Sequence, residues 1–211
     1  MLTKLKQKVQ QMLSTEAKAA HRIGLTPNRV SVIGFVLAFL AGVAYALTTP
    51  AQSLVLLVGV VLLMASGFCD TLDGILARTY QQATPFGGFF DSLLDRYADA
   101  FIYIGIVFSG ASIIFNPEIT LIITLTALAS SFMVSYSRAR AEAIGIKMES
   151  IGLAERPERI LILAASSIVA IFWLPALATG ILIIAVLATF TVLQRGRHVY
   201  KSLKIKEKTE N

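Results

Sequence analysis

Asp70, Asp73, Asp91 and Asp95 fall within twenty-six consecutive positions of a 211-residue chain that carries thirteen acidic residues in all. Asp70 and Asp73 are three apart and Asp91 and Asp95 four apart, so each pair shares one face of a helix. Gly74 and Ala77 continue the first face with almost no side chain, and Gly87 lies one turn ahead of Asp91 on the second. Two antiparallel helices joined by the short connection 81–85 bring the four carboxylates together. Like charges that close repel one another, and divalent cations are the natural resolution. A carboxylate-only donor set favours Mg2+, Mn2+ or Ca2+ over zinc. Arg78 ends the first helix with a guanidinium suited to a phosphate oxygen. The alternative, a purely structural set of ion pairs, fails on charge, because Arg78 and Arg96 do not neutralise four acids. Ionisable groups inside an apolar run point to function.

A second polar cluster is spread along the chain. Arg138 and Arg140 end one apolar run, Arg156 and Arg159 flank the start of the next, and Arg195 and Arg197 follow the last. Guanidinium groups make multidentate contacts with phosphate. Arg138, Arg140, Arg156 and Arg159 are therefore read as the site of an anionic second substrate, whereas Arg197 and the tail lysines serve topology alone. Asp99 continues the Asp91–Asp95 face one turn deeper. It either supports a metal ligand or pairs with a polar residue elsewhere.

The elements that must carry these residues are membrane helices. The chain is 55% hydrophobic and 15% charged with a mean hydropathy of +0.71, against the ~25% charge of an ordinary soluble domain. Helices of about 20 apolar residues cross a bilayer. Six such spans are expected, at about 30–47, 53–78, 86–108, 119–136, 157–173 and 175–193, with Thr26-Pro27-Asn28 starting the first. Residues 1–24 read as an amphipathic helix lying in the membrane interface, with apolar residues such as Leu5, Val9 and Met12 opposite its lysines. They lack the apolar core of a secretory signal. The expected organisation is therefore an all-α integral membrane protein: an interfacial helix (1–24), one six-helix transmembrane domain (25–196) and a basic tail (197–211).

Charge fixes the orientation. The loops at 48–52, 109–118 and 174–176 hold no Lys or Arg, and all nineteen basic residues fall on the opposite side. By the positive-inside rule both termini and all the charged clusters are cytoplasmic. The same bias explains the net charge of +6 without a nucleic-acid partner. Cys69, the single cysteine, excludes an intramolecular disulfide. The small residues Gly34, Ala38, Ala41 and Gly42 permit close helix contact, either between subunits or within one.

The pattern D-x2-D-G-x2-A-R-x8-G-x3-D-x3-D is met at every fixed position, by Asp70, Asp73, Gly74, Ala77, Arg78, Gly87, Asp91 and Asp95. It resembles the signature of the CDP-alcohol phosphotransferase family, integral membrane enzymes of six transmembrane helices. The resemblance implies Asp70, Asp73 and Asp91 as ligands of Mg2+ or Mn2+ in a two-metal site, and Asp95 as general base with a share in metal binding. It implies a CDP-linked lipid held over Asn28, Asp70, Asp73, Gly74, Ala77, Arg78 and Gly87. The acceptor hydroxyl would attack the phosphorus attached to the lipid, and CMP would leave. A homodimer is also implied.

The stretches Ser135–Glu142 and Gly152–Arg159 resemble one branch of that family, the inositol-phosphate-using synthases, which make phosphatidylinositol phosphate or archaetidylinositol phosphate. That likeness implies inositol phosphate as the acceptor, held by residues among Arg138, Arg140, Arg156, Arg159 and Arg195. Glycerol-3-phosphate, the acceptor of phosphatidylglycerophosphate-type synthases, is the nearest rival. A divalent-cation transporter is the rival of another class, disfavoured because only Asp99 and Glu118 lie away from the aspartate-bearing face.

Overall fold

The computed structural model describes residues 14–49, 53–109, 116–148 and 151–210. Among them the helices are α1 (Ser14–Arg22), α2 (Pro27–Leu47), α3 (Ser53–Thr79), α4 (Pro85–Phe108), α5 (Pro117–Ala143), α6 (Arg156–Ala170) and α7 (Ala176–Glu210). Prolines stand in the first turns of α2, α4, α5 and α6, where the missing N–H has no intrahelical partner to lose. Thr84 Oγ1 caps α4 by accepting from Gly87 N at 2.9 Å, and Asn116 Oδ1 caps α5 by accepting from Ile119 N at 2.7 Å. Thr26 holds the N-cap position of α2 as expected, but its side chain makes no capping bond.

α2 packs along α3 and α4, α7 packs along α5 and α6, and contacts of α6 with α3 and of α4 with α5 join the two groups. The stripe of small residues on α2 is used inside one chain. Ala38 and Ala41 are fully buried, and a Cβ on Gly34 would meet Cys69 Cβ at 3.0 Å. A Cβ on Gly42 would meet Phe101 O at 2.5 Å, so α2 and α4 cross with their backbones nearly touching. Of the two uses that the stripe permitted, the intramolecular one is realised.

α2, residues 54–79 of α3, α5 and residues 176–205 of α7 are each long and apolar enough to cross a bilayer. The chain is a multi-pass membrane protein. Among the described residues four helices meet that standard where six spans were expected. α4 is interrupted by Asp91, Asp95, Arg96 and Asp99, and α6 has 15 residues, about 22 Å of helix against a hydrocarbon core of about 30 Å. Large apolar side chains such as Leu54, Ile122, Val186 and Leu193 point outward, as suits lipid contact.

α1 lies against the end of α3 that carries the aspartates. Ala17 and Ala20 are buried with Leu72 and Leu76, and the His21 ring stacks on Tyr80 at 3.7 Å. The expected interfacial helix is described only from Ser14; residues 1–13 lie outside the described residues. At the other end of the chain, α7 runs unbroken through the expected boundary at 196/197 to Glu210. Composition changes there, but Lys, Glu and Arg are good helix formers, so the helix leaves the apolar layer without ending.

Candidate functional site

The C-terminal half of α3 and the first turns of α4 place the aspartates. One carboxylate oxygen each from Asp70, Asp91 and Asp95 lie within 4.8 Å of one another. Asp73 lines the same cleft. It is buried, and its Oδ2 accepts a 2.6 Å hydrogen bond from Ser31 Oγ on α2. The four aspartates predicted from spacing thus share one cleft, with three converging and the fourth turned toward α2. A hard divalent ion fits this donor set, because the oxygens are anionic, close together and only half-buried.

The small residues hold the approaches open. A Cβ on Gly74 would come within 3.4 Å of the Arg78 guanidinium, which lies over that glycine. A Cβ on Gly87 would meet Thr84 Oγ1 at 3.0 Å and Asn28 Oδ1 at 3.1 Å. Gly87 therefore lets the start of α4 sit against Asn28 at the start of α2. Ala77 is half-buried on the Gly74 side of α3.

The arginines divide into three kinds. Arg156 enters the aspartate cleft itself: its Nη1 lies 2.7 Å from Asp95 Oδ1 and 3.0 Å from Asp70 Oδ1, and its Nε donates to Asp99 Oδ1 at 3.3 Å. Arg159 and Arg195 are buried and committed to the protein. Arg159 donates to Asp99 Oδ2 at 3.2 Å and to Ala154 O at 3.0 Å. Arg195 donates to Ile151 O at 2.8 Å and to Val134 O, and pairs with Glu155 at 3.2 Å. Arg138 and Arg140 are exposed at the end of α5, where Arg138 pairs with Glu142 at 2.9 Å. Asp99 thus takes the second of its two open readings, as partner of Arg156 and Arg159.

The segment before α6 is tied to α7. Thr191 Oγ1 accepts from Leu153 N at 3.2 Å and Ala154 N at 3.0 Å. Gly152 has φ +129°, a conformation open to glycine, and its Cα faces the Thr191 side chain. Together with Arg195, these contacts set where Arg156 begins α6. Sequence reasoning missed Ser31, Ser66 and Thr191. Ser31 had a signal, since it stands three before Gly34 on the small-residue face of α2; Ser66 lines the cleft from α3 one turn before Asp70.

The model of the CDP-alcohol phosphatidyltransferase family matches residues 24–192. The chain belongs to that family. Among its relatives, archaetidylinositol phosphate synthase of Pyrococcus horikoshii is 37% identical over 97% of this chain and 100% of its own length. The enzyme of that name from Methanothermobacter thermautotrophicus is 42% identical over 88% of each chain. A crystal structure of Mycobacterium tuberculosis phosphatidylinositol phosphate synthase with CDP-DAG bound is 30% identical, with a TM-score of 0.76 over 90% of this chain and 94% of that one. The same enzyme in complex with manganese and citrate is 33% identical with a TM-score of 0.73, over 89% and 88% of the two chains. The family expected from the aspartate signature is the family found.

Proposed function

We propose that this protein transfers the lipid-phosphate group of a CDP-linked lipid, CDP-diacylglycerol or CDP-archaeol, to a hydroxyl of inositol phosphate and releases CMP. The observation that carries the reading is Arg156 beside Asp70 and Asp95. It joins a phosphate-binding side chain to the carboxylate cleft, as a transfer between two phosphate-bearing substrates requires. Two relatives that cover 97% and 88% of this chain bear the name of an inositol phosphate lipid synthase.

Asp70, Asp73, Asp91 and Asp95 would hold Mg2+ or Mn2+, in a two-metal site. Bound there, the metal supplies charge neutralisation for the donor pyrophosphate and for the departing CMP. Gly74 and Ala77 leave room for the cytidine, Arg78 steadies a phosphate, and Asn28 and Gly87 shape the adjoining wall. Asp95 takes the proton from the acceptor hydroxyl, whose oxygen then bonds to the lipid-bearing phosphorus as the bond to CMP breaks. Arg138, Arg140 and Arg156 face the acceptor phosphate. Arg159 and Arg195, buried as they are, serve the same pocket by holding Arg156 and its segment. We further place six spans in the membrane, the site and both termini at the cytoplasmic face, and two chains in the working unit.

CMP release and lipid product from purified protein, CDP-lipid, Mn2+ and each acceptor test the reading. Inositol phosphate is the expected acceptor; product from glycerol-3-phosphate alone overturns it. Transport of divalent cations has less support, because among the described residues the acids at the far end of the bundle reduce to the exposed Glu118.

A further inference from the structure

Arg156 stands where the metal reading needs a cation. Its Nη1 lies 2.7 Å from Asp95 Oδ1 and 3.0 Å from Asp70 Oδ1, and these are two of the three carboxylates that converge within 4.8 Å. Yet Nη1 is buried and makes no aligned hydrogen bond. The root of the guanidinium is held differently. Its Nε donates to one oxygen of Asp99 at 3.3 Å, and the other oxygen of Asp99 accepts from Arg159 at 3.2 Å. Arg159 is anchored in turn on Ala154 O at 3.0 Å. The tip of Arg156 is thus held by charge alone, and its root by a clasp. A buried N–H without an aligned acceptor is costly. A guanidinium and a divalent ion also repel, and an ion held by these oxygens would compete with Nη1 for them.

We propose that Arg156 is an exchangeable counter-ion. Its tip balances Asp70 and Asp95 while they lack metal, and on metal loading it turns about the Asp99 clasp to meet the acceptor phosphate. Asp99 is the positioning residue of this exchange. The idea rests on the proposed reading of the aspartates as the metal site and of the acceptor as a phosphate. Two consequences follow from the geometry. Metal binding and acceptor binding become positively coupled through one side chain, and Asp95 loses an ion-pair partner when it must accept a proton.

The test uses the full chain in nanodiscs, with Mn2+ and inositol phosphate as probes, titrated separately and together by calorimetry. Free Mn2+ is followed in parallel by electron paramagnetic resonance. In the wild type, Mn2+ is expected to tighten inositol phosphate binding about tenfold, with the reciprocal effect on Mn2+. Direct attraction between ion and phosphate contributes to this in every variant, so the decisive quantity is the difference between proteins. Arg156→Gln is expected to bind Mn2+ several-fold more tightly without phosphate, with the coupling reduced to about twofold. Arg156→Lys keeps the charge but not the Nε–H that Asp99 holds, and is expected to lose the coupling as well. Asp99→Glu, which preserves the charge in the clasp, is expected to retain part of it, and a thermal melt of each variant verifies folding. Full coupling in folded Arg156→Gln, or Mn2+ affinity in it no higher than in the wild type, overturns the proposal. If coupling appears with glycerol-3-phosphate and only that acceptor is consumed, the choice of inositol phosphate fails and the exchange stands. If inositol phosphate is consumed and the coupling ignores Arg156, the exchange fails and the function stands.

Discussion

Arg195→Met separates the role that the family resemblance implied for this side chain, contact with the acceptor phosphate, from the role its contacts point to, support of the segment before α6. Arg195 is 2% exposed and donates to Ile151 O at 2.8 Å and to Val134 O, besides pairing with Glu155 at 3.2 Å. Methionine preserves a flexible apolar stem but donates nothing. Two main-chain carbonyls lose a charged donor, at about 1–3 kcal/mol each when they stay buried. The Ile151 bond is part-buried and can recover water, so the lower half of that range applies, roughly 3 kcal/mol in total. The loss falls on residues 151–155, which Thr191 and Arg159 also hold. About 3 kcal/mol is a change of roughly a hundredfold in a local equilibrium. Hydrogen exchange should therefore quicken at Leu153 and Ala154 by up to about a hundredfold, without comparable change in α2 or α3. The KM for the acceptor should rise with it, because Arg156 follows this segment directly. A direct phosphate contact makes the opposite forecast for exchange. A raised KM with unchanged protection at Leu153 and Ala154 refutes the supporting role.

The aspartates should not be equivalent. Asp91→Asn is expected to weaken Mn2+ binding at least tenfold, roughly the cost of one lost charge-assisted contact, whereas Asp95→Asn should abolish CMP release and spare more of the Mn2+ affinity. Equal loss of Mn2+ by both variants, measured by calorimetry, rules out the division into ligand and base. At the α2–α4 crossing, Gly42→Ala places a Cβ 2.5 Å from Phe101 O and should cost about 1–3 kcal/mol through forced separation of the backbones. Gly88→Ala, with nothing within 4 Å of its Cβ, should change the melting temperature little; equal melting temperatures for the two variants would refute the close crossing.

The part of the site proposed to hold the donor was legible because it is local. Asp70, Asp73 and Gly74 lie on one helix, Gly87, Asp91 and Asp95 on the next, and the connection between them is short, so helical periodicity alone predicts the convergence. Asn28, on α2, joined them only through the family resemblance, although the Thr26-Pro27 start of that helix was readable. What could not be read is the meeting of Arg156 with Asp70 and Asp95. It depends on how α6 docks against α3 and α4, and no spacing in the chain encodes that angle. The burial of Arg159 and Arg195 was hidden for a related reason. A guanidinium at a helix end looks solvent-facing until a neighbouring carbonyl or carboxylate claims it. Two helices fall short of a plainly apolar span for different reasons, α4 through the charged residues it carries and α6 through its length.

This asymmetry has a consequence for how acceptor choice is built. The four aspartates ride on one helical hairpin, so their mutual geometry survives small shifts elsewhere. Arg156 instead hangs from three elements. Asp99 on α4 clasps its Nε, while the segment ahead of it is fixed to α7 through Thr191 and Arg195, and through Arg195 to Val134 on α5. A substitution on α7, on a helix that carries none of the aspartates, therefore changes where the Arg156 tip can reach, whereas the helices that carry the aspartates are not directly touched. A loss of a few kcal/mol at contacts such as Thr191 with Ala154 would therefore act first on Arg156, the proposed acceptor-binding arginine, and reach the aspartates only through it.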